Sequence, residues 1–312
     1  HEIGHNFGAW HTHSCNWAAA GYLSPASALI DTCQASEGGC NASAPILAAG
    51  KGTIMSYCQL LSGGVGNIRL DFHPVCVTRM REIWGLIPAA GKATRLSRDA
   101  QGHRRKGPSK EILPVPPAPR TATAAPGAPP RLACQDLLDN FRLAGVARAL
   151  VLLRQGKWDI PKRLGDGGEF GVDLAYRVLS LAQASRGVPF TLATATPFLG
   201  DRMAALGFPD LLVQPRDLLA RLVRHREQNQ SDLALALVPC DRPQSSDLVE
   251  LSPRGKVRRI EIKPAATTLK WTWAFAVWTP RFSRFLLKWT EGFNARSRRL
   301  GREPHAGDLF IG

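Results

Sequence analysis

The chain begins with histidines at a spacing that lets them share one metal ion. His1 and His5 are four residues apart, so on a helix they lie on one face and can bind the same ion. Glu2 lies beside them and can act as a base toward water on that ion. Gly8 allows the chain to leave the helix and turn, which brings His11 round as a third ligand. Three imidazoles leave one coordination position open, so the segment predicts a catalytic Zn²⁺ site.

A second segment, Gly52–Cys58, reads Gly-Thr-Ile-Met-Ser-Tyr-Cys, and its methionine follows His11 by 44 residues. Together with His-Glu-x-x-His-x-x-Gly-x-x-His, it resembles the metzincin zinc peptidases, with Met55 in their Met-turn beneath the metal. Residues 1–81 resemble the C-terminal part of a reprolysin-like (adamalysin-type) metallopeptidase. The resemblance implies a partial zinc-helix subdomain, mainly helix and loop, that hydrolyses a peptide or protein substrate.

Three features of this segment bear on that resemblance. Family members carry a twisted sheet before the zinc helix, whereas this chain begins on the first ligand, so we expect a fragment of a longer domain. Thr12 follows His11 where snake-venom-type members carry Asp, which leaves the support of His11 open. His13 is a candidate accessory ligand, although we favour the alternative of an exposed loop histidine.

Cysteines are concentrated in the same region. Five of the seven lie in the first quarter of the chain: Cys15, Cys33, Cys40, Cys58 and Cys76. Such density predicts disulfides and an oxidising compartment, and no CxxC pair supports the alternative of a cysteine-ligated zinc. Five is an odd number, and Cys76 resembles a family cysteine that bonds to the upstream half, so we expect it to be unpaired. Cys134 and Cys240 are expected to be buried thiols.

The net charge of +15 belongs to the later part of the chain, because residues 1–80 sum to −1 and the remainder to +16. A basic surface can bind nucleic acid, but these arginines are scattered among Ala, Leu and Pro without interleaved aromatic residues. We therefore do not expect nucleic acid as a partner, whereas small molecules that carry phosphate fit the charge. No run of 18 apolar residues occurs, so we expect no membrane span.

Residues 85–96 form a short apolar run that leads into a loop containing Gly, Thr and Arg. Such a junction can direct backbone N–H groups at phosphate oxygens, and Arg95 adds charge. With Pro-Ser-Lys-Glu-Ile-Leu-Pro-Val at 108–115, it resembles the sugar-1-phosphate nucleotidyltransferases. In that resemblance Lys110 contacts the phosphates of a nucleoside triphosphate and acts in catalysis with Arg95. The implied nucleotide-binding loop comprises Ala89, Ala90, Gly91, Thr94 and Arg95.

Further segments match that family in order. Asp210, in Gly-Phe-Pro-Asp, lies where the family has an aspartate that binds Mg²⁺. The segment 255–264 resembles the one whose lysine, here Lys263, meets the sugar 1-phosphate. The pattern predicts a helix and a strand within 132–153, a helix at 216–229, and strands at 233–239 and 271–278. Alternating helices and strands indicate a Rossmann-like α/β domain with a largely parallel sheet, as in nucleotide-diphospho-sugar transferases.

Several positions depart from the nucleotidyltransferase pattern. Ala93 replaces the second glycine of the loop, and its methyl group could obstruct a close approach of backbone to phosphate. Ile262 stands where a Glu usually precedes the lysine. A Pro/Ala-rich insert at 116–130 is expected to be a mobile loop. The chain also stops before the usual second metal-binding aspartate, so we expect an incomplete catalytic set.

The two resemblances predict two domains, a partial metzincin at 1–81 and a nucleotidyltransferase-like domain at 84–312, which meet without a linker. They also disagree about location, because disulfide-rich metzincins are secreted and nucleotide sugars are made in the cytoplasm. The alternative interpretation is an artificial or degenerate fusion of two partial domains with little or no activity.

Overall fold

The computed structural model describes residues 1–6, 9–19, 22–48, 50–80, 82–91, 107–115, 130–296 and 303–310. The chain divides into two compact units. Unit 1 comprises residues 1–82 with 200–202, and unit 2 comprises residues 83–199 and 203–312. Across the described ranges, every helix is too short or too polar to cross a lipid bilayer.

Unit 1 consists of short helices joined by long loops. Its α-helices are α1 (Glu2–Asn6), α2 (Asn16–Ala19) and α3 (Pro74–Met80). The chain between them is held by isolated β-bridges, Ser14 to Glu37 and Gly52 to Ile68. A small core forms around Trp17, Ile30 and Met55, all fully buried.

Disulfides staple these loops. Cys15 bonds to Cys40, and Cys33 bonds to Cys58. Among the described cysteines of this unit, Cys76 is the one without a disulfide, as expected, and it is buried. Burial raises the pKa of the Cys76 thiol to about 12, so it stays protonated near neutral pH.

Unit 2 alternates helices and strands. In chain order its elements are β1 (Ile83–Ala89), β2 (Pro114–Val115), β3 (Arg131–Leu132), α4 (Gln135–Leu143), β4 (Arg148–Arg154), α5 (Asp159–Leu164), β5 (Asp173–Leu179), α6 (Leu181–Ala184), α7 (Val188–Ala193), α8 (Thr196–Leu199), β6 (Met203–Gly207), α9 (Leu218–Asn229), β7 (Leu233–Pro239), β8 (Asp247–Leu251), β9 (Val257–Ile262), β10 (Trp271–Trp278), α10 (Pro280–Arg296) and α11 (Ala306–Phe310). The predicted strands β7 and β10 have the expected bounds, and α9 begins two residues later than expected.

The eight-stranded sheet of unit 2 is mixed. Its strand order is β5-β4-β1-β6-β10-β8-β9, and β7 pairs with β10 along the edge opposite β6. The first four strands are parallel, whereas β10 runs antiparallel to its neighbours. The expectation of a largely parallel sheet therefore holds for the half that contains β1. Strands β4 and β6 lie on opposite sides of β1, so the order in which successive strands are added to the sheet reverses at β1. Ligands of open α/β sheets bind at such a topological switch point.

Helices cover both faces of this sheet, which explains why its central strands are apolar throughout. Val151 and Leu153 of β4 face α4 and α9, whereas Leu150 and Leu152 face the layer that holds α7, α10 and α11.

The two cysteines of unit 2 differ from each other in burial. Cys134 is buried as predicted, but the prediction for Cys240 is wrong, because its position just beyond the end of β7 leaves it partly exposed.

Gly85 of β1 shows how closely α4 approaches the sheet. A Cβ atom at this position would lie 2.4 Å from the Phe141 ring and 2.8 Å from Ala149 Cβ. The ring of Phe141 therefore fills the space that a side chain on β1 would occupy.

Replacing Phe141 with alanine is expected to reduce the free energy of unfolding of unit 2 by about 3–5 kcal/mol, because the fully buried ring leaves a cavity. Urea unfolding followed by far-UV circular dichroism measures the change. Leu143→Ala on the same helix removes an exposed side chain and serves as the control. Equal losses for the two variants would contradict the packing described here.

Candidate functional site

The three predicted zinc ligands of unit 1 converge. His1, His5 and His11 each offer one ring nitrogen, and these nitrogens lie within 4.8 Å of one another. The Nε2 atoms of His5 and His11 are 3.0 Å apart. His1 immediately precedes α1 and His5 lies within it, and the chain returns to bring His11 against them.

In each of the three rings, a hydrogen bond made by Nδ1 fixes the orientation. His1 Nδ1 lies 2.8 Å from the carbonyl oxygen of Ile54, and His5 Nδ1 lies 2.9 Å from that of Ala9. A carbonyl oxygen only accepts, so these Nδ1 atoms carry a proton, and in a neutral ring Nε2 is then the atom that offers a lone pair to a metal. His11 Nδ1 bonds to the carboxylate of Glu37. Histidines that bind zinc typically engage their second nitrogen in this way.

The donor set therefore fits Zn²⁺. Three imidazole nitrogens converge, and a zinc ion with three protein ligands keeps a fourth position for water or substrate. Among the described residues, His1 Nε2 is buried and has no hydrogen-bond partner. A buried polar atom of this kind is costly unless something binds it, and a cation between the three rings would do so.

Met55 packs against α1. Its side chain is fully buried, and a Cβ atom on Gly4 of α1 would lie 2.2 Å from Met55 Sδ. Thr12 holds this turn in place, because its backbone N–H and its hydroxyl both donate to the carbonyl oxygen of Met55. Glu2, the predicted base, is exposed at the start of α1. Gly8 lies outside the described residues.

The sequence analysis missed two residues of this cluster and was wrong about a third. Glu37 supports His11, and the hydroxyl of Tyr57 lies 3.3 Å from His11 Nε2. His13 is buried rather than exposed, because its ring stacks on that of His11 with centroids 5.2 Å apart. Burial lowers the pKa of His13, against the opposing effect of Glu37. Tyr57 could have been identified from its position inside the segment 52–58, and Glu37 from its closeness in sequence to Cys40.

In unit 2, Lys110 and Asp210 meet although they are 100 residues apart. Lys110 Nζ lies 2.5 Å from Asp210 Oδ2, and both side chains are partly exposed. Asp210 follows the carboxyl end of β6, the strand beside β1, which places the pair at the point where the strand order reverses. Ala89 and Ala90 at the end of β1 are buried, and Gly91 is exposed. Thr94, Arg95, Ala93 and residues 116–129 of the insert lie outside the described residues.

The segment around Lys110 is fastened to α5. The backbone N–H and hydroxyl of Ser109 donate to the two carboxylate oxygens of Asp159, at 2.6 and 2.9 Å. Glu111 and Lys157 form an ion pair of 2.7 Å in which both side chains are buried. These contacts on either side of Lys110 fix its backbone, so its ammonium group is held at the sheet edge.

Lys263 lines a cavity of about 490 Å³ in unit 2. Its Nζ lies 3.5 Å from His305 Nε2, and Asp247 Oδ1 lies 3.6 Å from the other nitrogen of that ring. Phe208 and Trp273 form an aromatic wall, with ring centroids 5.5 Å apart. Residues 211–213, which follow Asp210 in the chain, form another wall.

Comparisons with known proteins bear on the fold. No protein-family model matches the sequence, and no curated protein matches it. One similar structure is a protein from Bacillus anthracis assigned as a glucose-1-phosphate thymidylyltransferase, in complex with a sucrose. It is 18% identical with a TM-score of 0.57, over 73% of this chain and 80% of that one. Another is a UDP-glucose pyrophosphorylase complexed with UDP-glucose, 14% identical with a TM-score of 0.52, over 73% of this chain and 85% of that one.

At these identities the likeness concerns the fold alone. Unit 1 is little more than a quarter of the chain, so a match over 73% includes most of unit 2. Unit 2 therefore has a sugar-1-phosphate nucleotidyltransferase-like fold, and the predicted Rossmann-like α/β architecture is confirmed. Neither structure shows a metzincin segment, so that interpretation of residues 1–81 stays a prediction.

Proposed function

We propose that unit 2 transfers a nucleotidyl group from a nucleoside triphosphate to a sugar 1-phosphate. The observation that carries this proposal is the Lys110–Asp210 pair, since two residues assigned separately to phosphate and to Mg²⁺ meet at the ligand-binding edge of the sheet. The fold that unit 2 shares with a UDP-glucose pyrophosphorylase supports the same chemistry.

The residues present fit a magnesium ion. Mg²⁺ commonly takes one or two carboxylates together with substrate phosphates, and the partly exposed carboxylate of Asp210 supplies such a ligand. The bound ion would offset negative charge on the reacting phosphates. When the triphosphate binds, Lys110 exchanges its bond to Asp210 for phosphate oxygens, and Arg95 adds a second cation. An oxygen of the sugar phosphate then attacks the α-phosphorus, and pyrophosphate leaves.

The cavity around Lys263 supplies the second substrate site. A cationic lysine beside His305 can bind the phosphate of a sugar 1-phosphate, while the Phe208 and Trp273 rings can contact the apolar face of the sugar ring. The cavity wall at residues 211–213 directly follows Asp210 in the chain, so this segment would connect the two substrate sites.

The test is pyrophosphate release by the full chain, with each nucleoside triphosphate in turn, Mg²⁺ and a hexose 1-phosphate. We expect release that requires both substrates and the metal. Release that does not depend on the sugar phosphate would indicate simple hydrolysis, and no release with any triphosphate would contradict the proposal.

A second function is proposed for unit 1, zinc-dependent hydrolysis of peptide bonds. The three histidines, each with Nδ1 engaged and Nε2 available, carry it. His1, His5 and His11 would hold Zn²⁺, which supplies Lewis acidity toward a water molecule and a peptide carbonyl. Glu2 accepts the proton of the attacking water, and the Tyr57 hydroxyl donates a hydrogen bond to the developing oxyanion.

Zinc titration of the metal-free full chain, followed by cleavage of a casein substrate, tests this second function. One ion per chain and chelator-sensitive cleavage are the expected results. The competing interpretation, a degenerate fusion without activity, predicts no product in either this assay or the pyrophosphate assay.

For location we propose that the disulfides of unit 1 form in an oxidising compartment, whereas the substrates of unit 2 belong to the cytoplasm.

A further inference from the structure

We propose that Glu37 is the positioning residue for the third zinc ligand, and that the Cys15–Cys40 disulfide holds it in place. This inference rests on the zinc function proposed for unit 1. It concerns a residue 26 positions away from His11 that belongs to no motif of the sequence.

Glu37 is the one ionic partner among the three groups that orient the zinc ligands. His1 and His5 each bond to a neutral backbone carbonyl, whereas His11 bonds to a carboxylate. His11 lies on a loop well beyond the end of α1, so the orientation of its ring depends on contacts from other parts of unit 1. A charged acceptor makes a stronger hydrogen bond than a carbonyl, and it increases the electron density that Nε2 offers to a metal.

The residue directly after His11 does not perform this task. The hydroxyl of Thr12 donates to the carbonyl oxygen of Met55, so its side chain is buried in the turn and directed away from the ligand ring. The ring of His13 stacks on that of His11, and its Nε2 lies 3.6 Å from Glu37 Oε1. Glu37 therefore bonds to the His11 ring and lies close to the His13 ring.

The backbone of Glu37 is tied to the ligand segment by a short parallel bridge. Its N–H donates to the carbonyl oxygen of His13 at 3.0 Å, and its own carbonyl accepts from Cys15 N–H at 2.8 Å. Cys40 lies three residues further on and is bonded to Cys15. Because two hydrogen bonds alone would hold an exposed loop weakly, the disulfide keeps the carboxylate beside His11.

Zinc affinity of the full chain, measured by competition with a chromophoric chelator, tests the inference. Glu37→Ala is expected to weaken affinity about 10- to 100-fold. Glu37→Gln keeps an oxygen that accepts the Nδ1 proton and is expected to lose less. Asp71→Ala is the matched control, since it removes one carboxylate from unit 1 whose partner is the surface residue Arg69.

A spectroscopic measurement separates positioning from loss of structure. The visible spectrum of the Co²⁺-loaded protein reports ligand geometry, and we expect it to change in Glu37→Ala and to stay unchanged in Asp71→Ala. Far-UV circular dichroism of the two variants should match that of the unaltered chain, since the side chain of Glu37 is 46% exposed.

The disulfide is tested by a double-mutant cycle. Replacing both Cys15 and Cys40 with serine is expected to weaken zinc affinity, and to add little further loss when Glu37→Ala is already present, because both changes act through the same contact. Zinc binding by Glu37→Ala within twofold of the unaltered chain overturns this inference alone. Absence of zinc binding by the unaltered chain overturns both the inference and the zinc function.

Discussion

Replacing His5 with alanine is expected to abolish stoichiometric zinc binding by the full chain. His5 is the central member of the cluster, with its Nε2 atom 3.0 Å from that of His11 and its ring 5.0 Å from that of His1. Without it two imidazoles remain, and a site that loses a ligand loses more affinity than the roughly 10- to 100-fold typical of losing a supporting group. Peptide cleavage should fall with the affinity.

The matched control is His225→Ala, which removes an exposed histidine from α9 of unit 2. Isothermal titration with Zn²⁺ compares the two variants with the unaltered chain. One tight site in both the control and the unaltered chain, and none in His5→Ala, is the expected pattern. Tight stoichiometric binding by His5→Ala would show that zinc is held elsewhere in the chain.

Replacing Lys110 with alanine is expected to reduce the turnover rate of pyrophosphate release by about 10²–10³-fold, the effect of removing one preorganised charge from a phosphoryl-transfer site. Its ammonium group already lies at the sheet edge, 2.5 Å from Asp210 and fixed by the contacts of Ser109 and Glu111 on either side. Little folding stability depends on this partly exposed ion pair, so the variant should remain folded.

Lys256→Ala, in the exposed turn between β8 and β9, is the control for loss of one positive charge. Lys110→Arg keeps the charge but changes the shape of the donor group, so it should recover part of the rate. Initial rates at saturating substrate distinguish a loss of turnover from a loss of binding. Equal rates for Lys110→Ala and the control would remove Lys110 from the reaction.

Much of the local structure could be predicted. The run Trp271–Trp278 is rich in aromatic and β-branched residues, and β10 has those bounds. The amphipathic pattern of 216–229 predicted α9, whose Leu219, Leu222 and Val223 are buried. His1 immediately precedes α1 and its carbonyl accepts from His5 N–H, so the four-residue spacing brought both rings together, with centroids 5.0 Å apart. In each case the relevant distance is set by the helix or strand repeat, which acts over a few residues.

The exposed state predicted for His13 was wrong because nothing in its local sequence reports what packs against it. Its burial depends on the ring of His11 and on Glu37, which the chain delivers from 24 residues away. The sequence also did not predict that the sheet is mixed, because the residue pattern of an apolar strand does not indicate whether it runs parallel or antiparallel to its neighbours. Whether β10 runs parallel or antiparallel depends on the connections that precede it.

The sequence by itself determined which side chains are candidates for chemistry, namely His1, His5 and His11, Met55, and the lysines Lys110 and Lys263. Tertiary structure alone decided which distant groups stand beside them. The pairing of Glu37 with His11 depends on a disulfide and a β-bridge, and that of Lys110 with Asp210 depends on the order of strands in the sheet. Contacts between residues far apart in the chain follow from how whole elements pack, because no local repeat constrains them.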